Sequence, residues 1–324
     1  MKIAITGATG YIGSVLTPLL LAQGHQLSIH ARKTQPPVTG ITYVYGSLSD
    51  PDFVASFVAG MDAVIHMAAV ISLSDTPDMA AFEFNTNTTR LLTEAAQQAG
   101  VRRFLFVSSI TAYEQFPYDA PMDETRPYTQ GMRYSYDHSK AMAQEAALAC
   151  NGPFLEVIAL APTAVIGPFD WRPSLIGDAV IRIYRGKIPA IFPGGVDFVD
   201  VRQVAQAIVQ ALTAGTPGQA YILSGEWMTL KTLSAHIAQI KGKRIFLPVL
   251  PLWLVMGLLP FVRALSRLTG GAPFYTKQSV YNLIRSNRKI DNSKARRDLG
   301  FNPGSLTATL QDTIAWFKEN KMLP

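Results

Sequence analysis

The residues best suited to chemistry are Ser109 and the run Tyr136-Asp137-His138-Ser139-Lys140. Tyr136 and Lys140 stand four apart, so on a helix they share one face. A free phenol has a pKa of ~10, too high for ready proton exchange near neutrality. An ammonium one turn away favours the phenolate and is expected to lower that value. A serine at a strand end, Ser108 or Ser109, can hydrogen-bond a carbonyl oxygen that becomes an alkoxide as hydride arrives. Consecutive strand residues point to opposite faces, so the pattern leaves the choice between the two serines open. Tyr134 competes with Tyr136 by position, but it stands six residues from Lys140, which puts the lysine off its face. Y-x-x-x-K alone is a common accident of sequence. Here it gains weight from what precedes it.

Such a set needs a scaffold that brings a strand end, a helix and a hydride source together. Met1 to Gly13 reads MKIAITGATGYIG. Ile3, Ala4 and Ile5 suit a strand buried on both faces. Thr6 follows, then Gly7, Gly10 and Gly13, then apolar residues at helical spacing from Val15 to Leu21. Strand, glycine turn and helix open a dinucleotide-binding βαβ unit, although the spacing is G-x-x-G-x-x-G rather than G-x-G-x-x-G. Gly7 permits a sharp turn, Gly10 lets the backbone approach a pyrophosphate, and Gly13 lets the helix pack closely. The first N–H groups of that helix then face the anion. The second strand, 26–31, ends in Arg32 and Lys33 instead of an acid. An acid there suits the 2′-hydroxyl of NAD and a base the 2′-phosphate of NADP, so NADP is expected over NAD.

Further strands are expected at 41–45, 62–66, 104–107 and 155–160, with helices between them, notably 82–99 and 134–150. This alternation predicts an α/β fold with a doubly wound parallel Rossmann sheet, its ligands beyond the strand C-termini. Small residues after the fourth strand, Met67-Ala68-Ala69, leave room for a ligand, and His66 reads as a satisfied core histidine. After Pro162 the rhythm changes. Residues 1–166, with 197–224 returning to the sheet, are expected to bind the cofactor. Residues 167–196 and 225–324 are expected to form a smaller C-terminal substrate lobe.

Hydrophobic residues make up 48% of the chain and charged ones 16%, which excludes a disordered protein. A single cysteine, Cys150, excludes an internal disulfide, and the scattered histidines show no metal-ligand spacing, so no metal is expected. The net charge of +6 comes from thinly spread bases without an aromatic-basic stripe, so no nucleic-acid partner is expected. Met1 leads straight into the first strand without a basic leader, which points to the cytoplasm. One segment, 245–262, is eighteen residues without a charge, interrupted by Pro248, Pro251, Gly257 and Pro260. It is read as a buried or pocket-lining helix, with peripheral contact to a membrane or apolar partner as the alternative. A span would place the two ends of one domain on opposite sides of a bilayer, so none is expected.

Taken together, the chain resembles the extended short-chain dehydrogenase/reductases, the superfamily of NAD-dependent epimerases and dehydratases. The likeness is carried by Thr6 to Gly13, His66 to Ala69, Asn85 with Thr89 and Glu94-Ala95-Ala96, Val107-Ser108-Ser109, Tyr136 to Lys140 and Pro162 to Pro168. It implies that Ser109 is catalytic, that Tyr136 is the acid/base, and that Lys140 also holds the nicotinamide ribose. It implies cofactor contacts at Gly7, Thr9, Gly10, Tyr11, Ile12, Arg32, Lys33, Met67, Ala68, Ala69, Asn85, Val107, Tyr136, Lys140, Pro162 and Val165. It also implies a homodimer formed by the helices at 82–99 and 134–150.

Asp197 to Val204, Tyr221 to Glu226 and Met228 to Leu230 resemble one branch, the dihydroflavonol reductase-like, hydroxysteroid dehydrogenase-like and hopanoid-associated sugar epimerase-like proteins. Members of that branch act on ketones or alcohols of bulky, fairly apolar molecules. Two positions depart from the family pattern: Ser47 follows Gly46 where an aspartate usually meets adenine, and Thr88 replaces the glycine of Asn-x-x-Gly-Thr. The resemblance implies an NADP-dependent oxidoreductase acting on a mid-sized apolar carbonyl or alcohol. A nucleotide-sugar epimerase or dehydratase recycling bound NAD is the alternative. Arg32 speaks against it, although Arg172, Arg182 and Arg185 offer charge for a diphosphate. A cofactor-sensing protein without chemistry is a further alternative, opposed by the intact Ser109, Tyr136 and Lys140.

Overall fold

The computed structural model describes residues 1–72, 76–131, 135–269 and 276–324, with the backbone alone for 262–269. The first half alternates as its apolar runs dictate: β1 (Lys2–Thr6), α1 (Tyr11–Ala22), β2 (Gln26–His30), β3 (Ile41–Val44), α2 (Pro51–Val58), β4 (Ala63–His66), α3 (Met79–Gln98), β5 (Arg103–Val107), α4 (Ser135–Ala149) and β6 (Glu156–Pro162). The second half adds β7 (Ala164–Ile166), α5 (Leu175–Tyr184), β8 (Gly195–Asp200), α6 (Val201–Ala211), β9 (Gln219–Leu223), β10 (Glu226–Thr229), α7 (Leu230–Lys241), α8 (Leu252–Thr269), α9 (Lys277–Ile284), α10 (Ser293–Leu299) and α11 (Leu306–Glu319).

Seven strands form one parallel sheet in the order β3-β2-β1-β4-β5-β6-β9. Its register sets Thr6 beside His66, Val107 beside Leu160 and Pro162 beside Leu223, so these C-terminal ends share one edge. Central strands buried on both faces must be apolar throughout, and Ile3 to Ile5, Val64, Ile65 and Phe104 to Phe106 are at most 1% exposed. One face packs on Leu16, Leu20, Val204 and Ile208 of α1 and α6. The other packs on Val54, Leu92, Ala96 and Ala143 of α2, α3 and α4.

Helix α3 buries Thr88, Thr89 and Thr93, a polar set for a core-facing helix. Each hydroxyl donates to the carbonyl four residues back, to Phe84, Asn85 and Thr89 respectively, so none is buried unpaired. Asp78 caps the helix by accepting from the Ala81 N–H, which starts it three residues before the expected Phe82. Asp50 caps α2 ahead of Pro51, as that pair requires.

A second sheet has the order β10-β8-β7, antiparallel between β10 and β8. Nothing in the sequence announces it, because Pro193 and Gly194-Gly195 disguise the start of β8. Beneath it Ile181, Leu233, Leu310 and Phe317 form a separate core. The expected burial of 245–262 is corrected. Val255 and Leu259 of α8 pack inward, but Trp253 is 73% exposed and Phe261 72%. Among the described residues no helix is long and apolar enough to cross a membrane.

Candidate active site

The glycine turn behaves as its spacing demands. Gly7 has φ +77°, and a Cβ there would stand 2.7 Å from the Ala68 nitrogen, so only glycine fits between this turn and the loop after β4. A Cβ on Gly13 would stand 2.4 Å from Ala8, so the first turn of α1 packs on that turn residue. Gly10 differs: its φ is −86°, and an added Cβ would meet only the Gly7 carbonyl, at 3.1 Å. Gly10 is exposed at the start of α1, where Ser14 is the first residue to donate back to its carbonyl, at 2.9 Å. The N–H groups of the first turn have no carbonyl of their own helix to meet, and at this exposed helix start they suit a pyrophosphate, so the residues present fit a dinucleotide.

Thr9 and Gly10 are exposed, and Tyr11 and Ile12 half-buried. The Tyr11 hydroxyl donates to the Gly167 carbonyl at 2.7 Å, tying the turn to the loop after β7. Arg32 and Lys33 lie just beyond β2, exposed, and neither has an ion-pair partner among the described residues. Ser47 is exposed at the next loop.

Around the β1 and β4 ends the polar groups interlock. Thr89 gives its proton to the Asn85 carbonyl and therefore accepts from His66 Nε2 at 3.0 Å. That leaves His66 Nδ1 to accept from Thr6 Oγ1 at 2.6 Å, while Thr6 accepts from the Ala68 N–H. Burial first, then the nearby Lys140 and His30, hold the His66 pKa down to about 3, so the ring stays neutral. His66 is the satisfied core histidine its context suggests. Met67, Ala68 and Ala69 are half-buried along the loop it anchors. Asn85 commits its whole amide inside the protein: Oδ1 accepts from Val70 N, and Nδ2 donates to the Val70 carbonyl and to Ser139 Oγ. It positions both the loop after β4 and helix α4.

The first turn of α4 is held on three sides. Ser135 Oγ accepts from Asp78 N at 3.1 Å, His138 Nδ1 donates to the Thr129 carbonyl at 3.1 Å, and the His138 ring stacks on Phe82. Tyr136 and Lys140 project from this helix. Lys140 is buried, and its Nζ donates to the Val107 carbonyl at 2.8 Å. Burial lowers its pKa to about 8. Tyr136 is half-buried, with the Ser109 hydroxyl near enough to favour its ionised form. Its pKa is raised, chiefly by burial and then by Asp137, with Ser109 opposing. The expectation that Lys140 lowers this pKa is therefore corrected: the ammonium is spent on Val107, desolvation dominates, and the phenol keeps its proton.

Ser109 is the serine that meets Tyr136; Ser108 is buried, its Oγ unpartnered among the described residues. Tyr134 lies outside the described residues. Pro162 is buried at the end of β6 and Val165 is half-buried in β7. Two participants have no role assigned to them from the sequence. Thr111 Oγ1 lies 3.0 Å from Ser109 Oγ, and Asp137 is buried beside them with Oδ1 unpartnered among the described residues. Burial raises the Asp137 pKa to about 7, opposed by the Thr111 hydroxyl. Helical spacing gave a faint signal, since Asp137 precedes the buried Lys140 and Ala141 by three and four. No group of metal ligands occurs among the described residues. A cleft of about 440 Å³ lined by Glu124, Gln219 and Lys294 sits at the N-terminal end of β9 and holds none of this chemistry.

A family model described as NAD dependent epimerase/dehydratase family matches residues 3–224, more than half of the chain. The chain belongs to this family. Its members are nicotinamide-dependent enzymes of the extended short-chain dehydrogenase/reductase type, and the seven-stranded sheet with its smaller mixed sheet is the family's fold. Sterol demethylase protein B of Methylococcus capsulatus is 29% identical, with 100% of both chains covered. A 3β-hydroxysteroid dehydrogenase/Δ5→4-isomerase of Mycobacterium tuberculosis is 28% identical over 99% of this chain and 92% of its own. Among solved structures, that of gox2253 superposes with a TM-score of 0.82 at 29% identity, covering 100% of this chain and 99% of its own.

Proposed function

We propose that this epimerase/dehydratase-family protein is an NADP-dependent oxidoreductase interconverting a ketone or aldehyde and an alcohol on a mid-sized, fairly apolar molecule. The observation that carries the reading is Tyr136, set beside Ser109 one helical turn before Lys140 and kept protonated by burial. A neutral phenol beside a strand-end hydroxyl is a proton donor in waiting. The nicotinamide, when bound, supplies or accepts hydride. Tyr136 then gives its proton to the carbonyl oxygen, and Ser109 orients that oxygen and steadies the charge growing on it. Lys140, fixed on Val107, orients the ribose end of the cofactor. Gly7, Thr9, Gly10, Tyr11 and Ile12 bind the pyrophosphate. Met67, Ala68, Ala69, Asn85, Val107, Pro162 and Val165 shape the wall beside it.

Arg32 and Lys33 support the choice of NADP, being exposed and unpaired where the adenosine ribose is expected. The sterol and steroid named for two relatives support a polycyclic apolar substrate. The same reading has a cytoplasmic homodimer paired through α3 and α4.

Equilibrium binding of NADPH and NADH to the purified protein tests this. NADPH is expected to bind more tightly and to exchange freely, and Arg32→Ala to erase about tenfold of the difference, the worth of one charge-assisted contact of ~1.4 kcal/mol. NAD retained through purification, with no response to Arg32→Ala, would instead favour an epimerase that recycles its cofactor.

A further inference from the structure

The charge of this chain is unevenly placed. From Trp227 to Ile290 there are ten lysines and arginines and not one acid, so 64 residues carry +10 and the other 260 carry −4. In the middle of that stretch lie the eighteen uncharged residues from Ile245 to Val262.

The structure divides this segment into two faces. Val255 of α8 packs inward against Phe192 and Val280, and Leu259, one turn on, is buried as well. Trp253, Gly257 and Phe261, spaced by four, face solvent with Leu258 beside them, and Phe246 before the helix is 90% exposed. Lys243 and Arg244 are exposed at the same end. Large exposed aromatic and aliphatic side chains repeated along one helix face mark a surface that something covers. A second copy of this chain is a poor match, because a two-fold contact would bring together two segments that each carry ten bases and no acid. An anionic bilayer complements both properties: its headgroups match the bases, and its headgroup–acyl boundary accepts tryptophan and phenylalanine from a helix lying in the plane. No described helix can cross the bilayer, so the contact is peripheral.

We propose that this face docks the protein on the surface of an anionic phospholipid bilayer, with Phe246, Trp253 and Phe261 entering the headgroup–acyl boundary. The docking rests on the surface alone. Its use, withdrawing an apolar substrate from the bilayer, rests on the proposed reaction, and the two fail separately.

The test is co-sedimentation of the full chain with vesicles of phosphatidylcholine alone and of phosphatidylcholine mixed with phosphatidylglycerol. Binding is expected to the mixed vesicles, weakening as salt rises. It should fall about tenfold or more in Lys243→Glu/Arg244→Glu, and be lost in Trp253→Ser/Phe261→Ser. These side chains are exposed, so the thermal midpoint and NADPH binding should hold. In the unaltered protein, brominated lipids should quench a fluorescence component absent from Trp253→Phe. Protein left in the supernatant with both vesicle types would overturn the proposal. So would equal binding to neutral vesicles, or a dimer in solution that Trp253→Ser/Phe261→Ser dissolves.

Discussion

At the scale of single residues, burial governs the site more than charge pairing does. Tyr136, Asp137 and Lys140 are each displaced toward the neutral form, and desolvation is the largest cause for all three. Asp137 makes this testable by stability. Its folded pKa, about 7, lies above the ordinary carboxylate value of 3.8. The folded state therefore keeps a proton that the unfolded state releases, and stability falls as pH rises from about 4 to about 7. Asp137→Asn removes the titration. It is expected to raise the thermal midpoint by about 3 °C or more at pH 8, and by less at pH 5. Calorimetry at the two pH values checks this; an equal or negative shift would mean the carboxylate is stabilised in the fold. His66 acts at the other end of the scale. Its pKa, held down to about 3, makes stability present above about 6.5 and lost as pH falls toward 3. The residue types at the site were legible in the sequence, but the direction of the Tyr136 shift was not, because desolvation depends on what packs around a side chain. Asp137 could be given no role from the sequence for the same reason.

At the scale of elements, the glycine turn separates fold from function. Gly7 has positive φ and no room for a Cβ, so Gly7→Ala is expected to destabilise by about 1–3 kcal/mol and to weaken cofactor binding with it. Gly10→Ala should behave differently. Its φ is ordinary and a Cβ would meet only the Gly7 carbonyl, at 3.1 Å, which must give by a few tenths of an ångström, so the loss of stability should stay below about 1 kcal/mol, while the added methyl group intrudes on the turn proposed for the pyrophosphate. Chemical denaturation beside NADPH titration checks the pair, and a Gly10→Ala variant that binds NADPH normally would place the phosphates elsewhere. Most strands and helices of the large sheet were legible, because strands buried on both faces must be apolar throughout and helix ends carry their caps, as Asp50 and Ser174 do. The small sheet was not. Its strands are three to six residues long, two of them open beside glycine, and Val196-Asp197-Phe198 alternates too briefly to stand out. Asp197 carries the one strong clue. It accepts from Thr163 Oγ1 and Gly225 N at 2.7 Å each, so a buried acid ties β8 to the loops after β6 and β9.

At the scale of the whole molecule, one sheet edge gathers a glycine turn, an interlocked Thr6-His66-Thr89 set and the Ser109-Tyr136-Lys140 group, and the Tyr11 hydroxyl ties that turn to the loop after β7. The general plan could be read from alternation, while the two-faced character of α8 could not, since an uncharged run looks the same whether it is covered or exposed. The measurement that bears most directly on the account is NADPH oxidation with an apolar ketone, 5α-cholestan-3-one in mixed micelles, by the unaltered protein and by Tyr136→Phe. The account predicts turnover by the former, and a loss of about 100-fold or more in the variant with NADPH affinity unchanged, the range expected for removal of a general acid. Turnover retained by Tyr136→Phe would contradict it.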